Sequence, residues 1–285
     1  MTYFISEISS NHNQDLDRVK KLIERSKSLG FDAVKFQLFK IEELFSPEII
    51  SKSEFHSSRK AWELPVEFIP EIHKICVDNE IELGITPFYL DAVDECNQYV
   101  DFFKIASYEI LWKDLFKKCL STDKDLIFST GMANLSEVSN AFSFIGEKNK
   151  DRVTLLHCSS AYPTPTQGSN LKAIKTLRDK FLVKTGWSDH TRSVAVLLAA
   201  CLKWNSDCIE IHFDIDGQGA EADGHCWLPD ECSRFFELYH EALESEGDGL
   251  KEPNPFEYPD RDWRADPSDG LRPFKKLRTT FNPES

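Results

Sequence analysis

The chain has 285 residues, with 34 Lys and Arg against 48 Asp and Glu, for a formal net charge of −14. Hydrophobic residues make up 41% and aromatics 12%, which excludes a disordered polyelectrolyte and leaves room for one or two packed domains or a single large α/β barrel. The acidic balance excludes a general nucleic-acid binder, and no run approaches the ~18 apolar residues of a membrane-spanning helix.

The N-terminus, Met1-Thr2-Tyr3-Phe4-Ile5-Ser6-Glu7, has no basic region and reads as the start of a folded chain rather than a signal peptide. A first strand is expected over 3–8, then a helix over 15–29 with apolar residues at Val19, Leu22 and Ile23. Further strands are expected over 33–37, 82–86, 102–106, 126–129, 153–157, 183–187 and 208–212. Helical patterns lie between them over 65–79, 90–98, 111–119, 135–148, 169–180 and 191–203, and a last one follows over 229–245. Asn134 is placed to cap the helix that starts at Leu135, and Ser169 or Asn170 the one that starts at Leu171. Residues 40–64 form an insertion without a clear pattern, and six of the 13 prolines fall in 247–285.

Strict alternation of strand and helix implies parallel strands joined by crossover helices. Eight repeats predict a closed α/β fold, the (β/α)8 TIM barrel, over residues 1–246, followed by a Pro-rich C-terminal extension over 247–285. Phe256, Tyr258, Trp263 and Phe274 give that extension anchors for docking. An open doubly wound sheet is the weaker alternative, because no GxGxxG turn follows the first strand. The eight cysteines, at 76, 96, 119, 158, 201, 208, 226 and 232, include no CxxC pair and predict reduced thiols and a cytoplasmic location.

In such a barrel, function collects where the strands end. Every expected strand delivers a polar or ionisable group there: Glu7, Lys35 and Gln37, Thr86, Lys104 and Ser107, Ser129 and Thr130, His157, Ser188 to His190, and Glu210 to Asp214. Lys35 and Lys104 lie within apolar strands, near the hydroxyls of Ser107, Ser129, Thr130 and Ser188. Two point charges among short donors suit a phosphate. His190 and His212 close the last two strands, with Asp189, Glu210 and Asp214 nearby, and predict a divalent metal that polarises a carbonyl.

These segments together resemble the sialic acid synthase family. The resemblance rests on Glu7-Ile8-Ser9-Ser10-Asn11-His12-Asn13, Asp32-Ala33-Val34-Lys35-Phe36-Gln37, Thr86-Pro87-Phe88, Phe103-Lys104-Ile105-Ala106-Ser107, Ser129-Thr130-Gly131-Met132, His157-Cys158-Ser159-Ser160-Ala161-Tyr162-Pro163, Trp187-Ser188-Asp189-His190-Thr191 and Ile209-Glu210-Ile211-His212-Phe213, in order over residues 3–245. It implies that phosphoenolpyruvate condenses with an open-chain aldose, N-acetylmannosamine-like or a related hexose, to give a sialic-acid-like nonulosonic acid and phosphate. By the resemblance, phosphoenolpyruvate would meet Lys35, Thr86, Lys104, Ser107, Ser129 and Ser188. The sugar would meet Glu7, Ser160, Tyr162 and Asp223. A divalent metal, Mn2+ ahead of Mg2+ or Co2+, would sit on His190 and His212. Glu7, Lys35, Lys104, His190 and His212 would be catalytic.

The partners implied are phosphoenolpyruvate and a small sugar, with no nucleic acid and no membrane, and a homodimer is admitted. The chain departs from the family pattern at Ser9 and Gln14, where Gly is usual, and at Ser160, where Asn is common. It departs again in the loop 217–227, with Glu221, Asp223 and His225, and in having 39 residues after Glu246 where an antifreeze-like domain usually follows. A metal-dependent sugar isomerase or hydrolase on the same barrel, or a non-catalytic sugar-binding homologue, are the competing readings.

Overall fold

The computed structural model describes residues 2–222 and 224–282. Eight parallel strands close in sequence order into one barrel: β1 (Tyr3–Ser9), β2 (Ala33–Leu38), β3 (Glu82–Pro87), β4 (Phe102–Ile105), β5 (Asp125–Ser129), β6 (Val153–Cys158), β7 (Lys184–Asp189) and β8 (Cys208–His212). The register pairs Glu7 with both Lys35 and His212, Gln37 with Thr86, and Ser188 with Glu210.

Because side chains alternate along a strand, one inward set fills the barrel in layers. The lower layer is apolar: Ile5, Ala33, Phe102, Ile127, Leu156 and Cys208, with Tyr3 packed against them. Two residues further along the same strands stand Glu7, Lys35, Lys104, Ser129, Cys158 and Glu210, so one period-two step converts an oily plug into a polar floor. Gly84 faces Phe102, and a Cβ there would collide with the ring. The outward set packs on the helices. Phe4, for example, meets Phe235, Phe236 and Tyr239 of the helix Pro229–Glu246 edge to face.

The helix Leu16–Leu29 starts at Asp15, whose carboxylate accepts from the Asp17 and Arg18 amides, and stops at Gly30 in the left-handed region. Asn134 caps Leu135–Ser143 with a full capping box through Glu137. The helix expected from 169 starts later, over Lys172–Phe181. Its cap position is Leu171, with no side-chain cap, because Asn170 is left-handed and ends the preceding turn instead. The insertion is structured as three single-turn helices, Ile41–Leu44, Pro47–Ile50 and Glu54–Ser57, and a 3-10 turn, Ser58–Trp62.

The chain divides into two compact units, Met1–Tyr239 and His240–Ser285. The first holds the whole barrel. Within the second, Arg278 pairs with Asp269 at 2.6 Å and donates to the Pro273 carbonyl, Asp266 accepts from the Lys275 amide, Arg264 stacks on Phe274 and Trp263 meets Phe281. No helix among the described residues is long and apolar enough to cross a membrane.

Candidate active site

The cleft opens at the C-terminal ends of the strands. It is lined by Glu7, Lys35, Thr86, Lys104, Ser107, Ser129, Tyr162, Ser188, His190 and His212 among the residues expected from the sequence, and also by Gln37, Ala106, Cys158 and Glu210. Ser160 is not part of this lining; its hydroxyl stands beside Gly131 and 4.0 Å from Cys158 Sγ. Asp223 lies outside the described residues.

Glu210 organises the floor. Lys104 Nζ donates to both of its oxygens at 2.8 Å, Ser188 Oγ donates to Oε1 at 2.8 Å, and Lys35 Nζ lies 3.7 Å away. Lys35 also pairs with Glu7 and donates to Thr86 Oγ1 at 2.8 Å, while Gln37 donates to Glu7 Oε1 at 3.0 Å. Both lysines and both carboxylates are buried. Burial acts to raise the Glu210 carboxyl, but the Lys104 and Lys35 ammoniums outweigh it and hold it at about 2, fully ionised. Glu7 goes the other way. Its own burial and the Glu210 charge lift it above the usual carboxylate range despite Lys35. Ser129 Oγ is buried with no hydrogen-bond partner, so one donor beside the lysines is unused.

The second cluster is imidazole. His190 and His212 have ring centroids 5.1 Å apart, with the Tyr162 ring 4.2 Å from His190. His190 Nδ1 lies 2.8 Å from the Ser159 carbonyl, and donation there orients the ring, while the Cys158 thiol at 3.7 Å helps to raise the imidazole above its usual value against the effect of burial. His212 is buried, its Nδ1 has no hydrogen-bond partner, and burial followed by the neighbouring His225 and His190 keeps it well below the usual histidine range and neutral. A neutral imidazole with an orphaned buried nitrogen fits a divalent cation.

The sequence also placed Asp189 and Asp214 beside the metal, and here the structure differs. Asp189 accepts from the indole nitrogens of Trp187 and Trp227 at 2.9 and 3.0 Å, and Asp214 is held by Arg18 at 2.6 Å. Their oxygens are committed to holding loops. Glu210, read from the sequence only as a carboxylate near the metal, is the partner of the two lysines. The signal was its position two residues before His212 on one strand, which puts both side chains on the inner face.

The fold and this cleft define a (β/α)8 barrel with two buried lysines and two buried imidazoles at the C-terminal mouth. The profile of the NeuB family matches residues 22–251. N,N'-diacetyllegionaminic acid synthase of Campylobacter jejuni is 35% identical over 264 residues, covering 88% of this chain and 79% of that protein. Pseudaminic acid synthase of Helicobacter pylori is 33% identical, covering 73% and 64%. The crystal structure of N-acetylneuraminic acid (sialic acid) synthetase from Leptospira borgpetersenii superposes with a TM-score of 0.80 at 27% identity, covering 90% of this chain and 88% of that one. The chain belongs to the NeuB family. It is a phosphoenolpyruvate-dependent condensing synthase of the nonulosonic acid type, in a family whose enzymes use a divalent metal.

Proposed function

We propose that the cleft joins phosphoenolpyruvate to an open-chain hexose of the N-acetylmannosamine type. The observation that carries this is the pair of buried lysines, Lys35 and Lys104, set around one carboxylate among the hydroxyls of Thr86, Ser107, Ser129 and Ser188. A phosphate entering there meets full charge, short donors and the unused Ser129 hydroxyl. Glu7, Ser160, Tyr162 and Asp223 are assigned to the sugar, and His190 and His212 to the metal, with Mn2+ the first choice. A divalent ion on these imidazoles supplies Lewis-acid polarisation of the aldehyde oxygen.

The chain's own groups then divide the work. C3 of phosphoenolpyruvate attacks the aldehyde carbon, and Glu7, whose carboxyl is raised by burial, is assigned to pass a proton to the developing alkoxide. Water adds at C2 and its proton passes to a phosphate oxygen. Phosphate leaves by C–O cleavage with its charge held by Lys35 and Lys104.

The test is phosphate release from phosphoenolpyruvate over a panel of N-acetylated and non-acetylated hexoses. Phosphate should appear only with an aldose acceptor, fall to background in chelator and return with Mn2+. Sugar-independent release, or full turnover in chelator, would overturn the reading. The eight cysteines are buried free thiols, which supports a cytoplasmic setting. A second copy of the chain is the other partner to look for, by sedimentation.

A further inference from the structure

We infer that Arg59, on the insertion after β2, and Glu221, on the loop after β8, are specificity-determining residues that read an acylamino group of the acceptor sugar. The inference rests on the condensing reading above and names the part of the acceptor that is recognised.

Arg59 is a cation without an oxygen acceptor. Its guanidinium carbon stands 4.7 Å from the centroid of the Phe55 ring, 5.1 Å from that of Trp62 and 6.0 Å from that of Phe45. Rings answer the charge but leave the N–H donors of the guanidinium plane unused. Arg59 has no hydrogen bond or ion pair among the described residues, and its Nε is buried without a partner. A buried donor left unmade is costly, so this one calls for an acceptor from outside the chain.

The turn after β1 holds the arginine's segment and the loop 217–227 together. Gln14 Nε2 donates to the Glu63 carbonyl at 3.0 Å and to the Lys60 carbonyl at 3.5 Å, which ties down the 3-10 turn that carries Arg59. Asn13 Nδ2 donates to the Gln218 carbonyl at 2.9 Å, Asn11 Oδ1 accepts from the Glu221 amide at 2.8 Å, and the Ser9 hydroxyl donates to the Glu221 carboxylate. Ser9 and Gln14 carry these ties from backbones with φ of 53° and 54°, where glycine would be unstrained. Ser9 ends β1 two residues beyond Glu7 of the cleft floor, so the carboxylate it holds stands further out along the wall. Burial raises the Glu221 carboxyl, and the Ser9 hydroxyl, then Arg59, then Lys35 and His190 pull it back. Glu221 is thus within electrostatic reach of both the insertion's arginine and the cleft.

The two side chains are complementary to an amide. An acylamino group offers a carbonyl oxygen, an N–H and an alkyl end. Arg59 supplies only donors, Glu221 supplies acceptors, and the Phe55 ring, 64% exposed, supplies an apolar face. A phosphate or carboxylate on the sugar would suit Arg59 but would meet the charge of Glu221.

The experiment is phosphate release by the purified full chain with Mn2+, comparing N-acetylmannosamine, mannose and N-acetylmannosamine 6-phosphate in the wild type, Arg59→Met and Gln14→Gly. Arg59→Met keeps the alkyl packing and loses the donors. Its preference for N-acetylmannosamine over mannose, as the ratio of kcat/KM, should fall about tenfold or more, carried by KM rather than kcat. Gln14→Gly, which suits its backbone, should move the ratio in the same direction by loosening the turn that positions Arg59. An unchanged ratio in Arg59→Met that still binds phosphoenolpyruvate by calorimetry would overturn the inference. If Arg59→Met no longer binds it, Gln14→Gly decides, and an unchanged ratio there overturns it equally. A loss confined to the 6-phosphate would show that Arg59 reads an anion, and equal wild-type turnover of mannose and N-acetylmannosamine would show that no acyl group is read; either overturns the inference and leaves the condensing reading intact. No phosphate release with any of the three overturns both.

Discussion

Glu210 is charged, buried and shared by two lysines, and each property depends on the others. Removing its charge leaves Lys104 without its counter-ion in a closed space, with Lys35 paired to Glu7 alone, which costs about 3–5 kcal/mol for a broken buried pair. Its pKa is depressed from 4.5 to about 2, so it contributes stability that is present above about 4.5 and lost as pH falls towards 2. Unfolding free energy measured in denaturant between pH 5 and pH 2.5 should therefore fall less steeply in Glu210→Gln than in the wild type, from a lower starting value. Equal slopes would show that the Glu210 carboxyl binds its proton equally well in the folded and the unfolded chain. The lysines make the converse prediction for ligand. Lys35→Ala or Lys104→Ala removes one side of a buried charge pair with the phosphate, so phosphoenolpyruvate binding by calorimetry should weaken by about 2–5 kcal/mol. Unchanged affinity in both variants would return these residues to a purely structural role. These lysines were legible in the sequence because a lysine inside an apolar strand is unusual. The commitments of Asp189 and Asp214 were not, because their partners, Trp187 and Trp227, and Arg18, come partly from distant segments.

At the scale of elements, the strands were the easiest to read, because each combines β-branched or aromatic residues with a polar residue at its end. The insertion was opaque for a physical reason. Its helices are four residues long, little more than one turn, and a 3.6-residue period cannot establish itself in so short a run. The helix expected over 191–203 changes character at Ala199–Lys203, where it widens into a π-turn, and apolar spacing does not distinguish that from α. The two positions where the family usually has Gly, Ser9 and Gln14, both carry φ near +50°, at 53° and 54°. The chain thus keeps a glycine-like backbone with side chains on it, and Ser9 uses its hydroxyl to donate to Glu221. Steric fit matters more inside the barrel. Gly84→Ala would press a methyl into the Phe102 ring, so it should destabilise the protein by about 1–3 kcal/mol in denaturant titration. A neutral effect would mean that the apolar plug below the cleft is loosely packed.

For the whole molecule, the open question is what closes the sugar end of the cleft. The loop 217–227 is tied to β1 through Asn11 and Ser9, and the second compact unit carries aromatic and arginine residues. Within that unit Arg264 is spent on Phe274 and Arg278 on Asp269, so its core is self-organised rather than a loose strand of chain. Prolines reduce the entropy such a segment loses on ordering. We propose that the loop grips the sugar and that residues 247–285 contribute to sugar affinity or to stability. Phosphoenolpyruvate, by contrast, is assigned to side chains that lie on β2, β3, β4, β5 and β7 or just after β4, all within the barrel unit. Truncation after Glu246 should therefore raise the sugar KM or lower the melting temperature, while phosphoenolpyruvate affinity measured by calorimetry changes much less. A truncated chain with native stability and unaltered sugar kinetics would make the extension a passive appendage. A truncated chain that loses phosphoenolpyruvate binding while still folded would show that the barrel alone does not form the anion site.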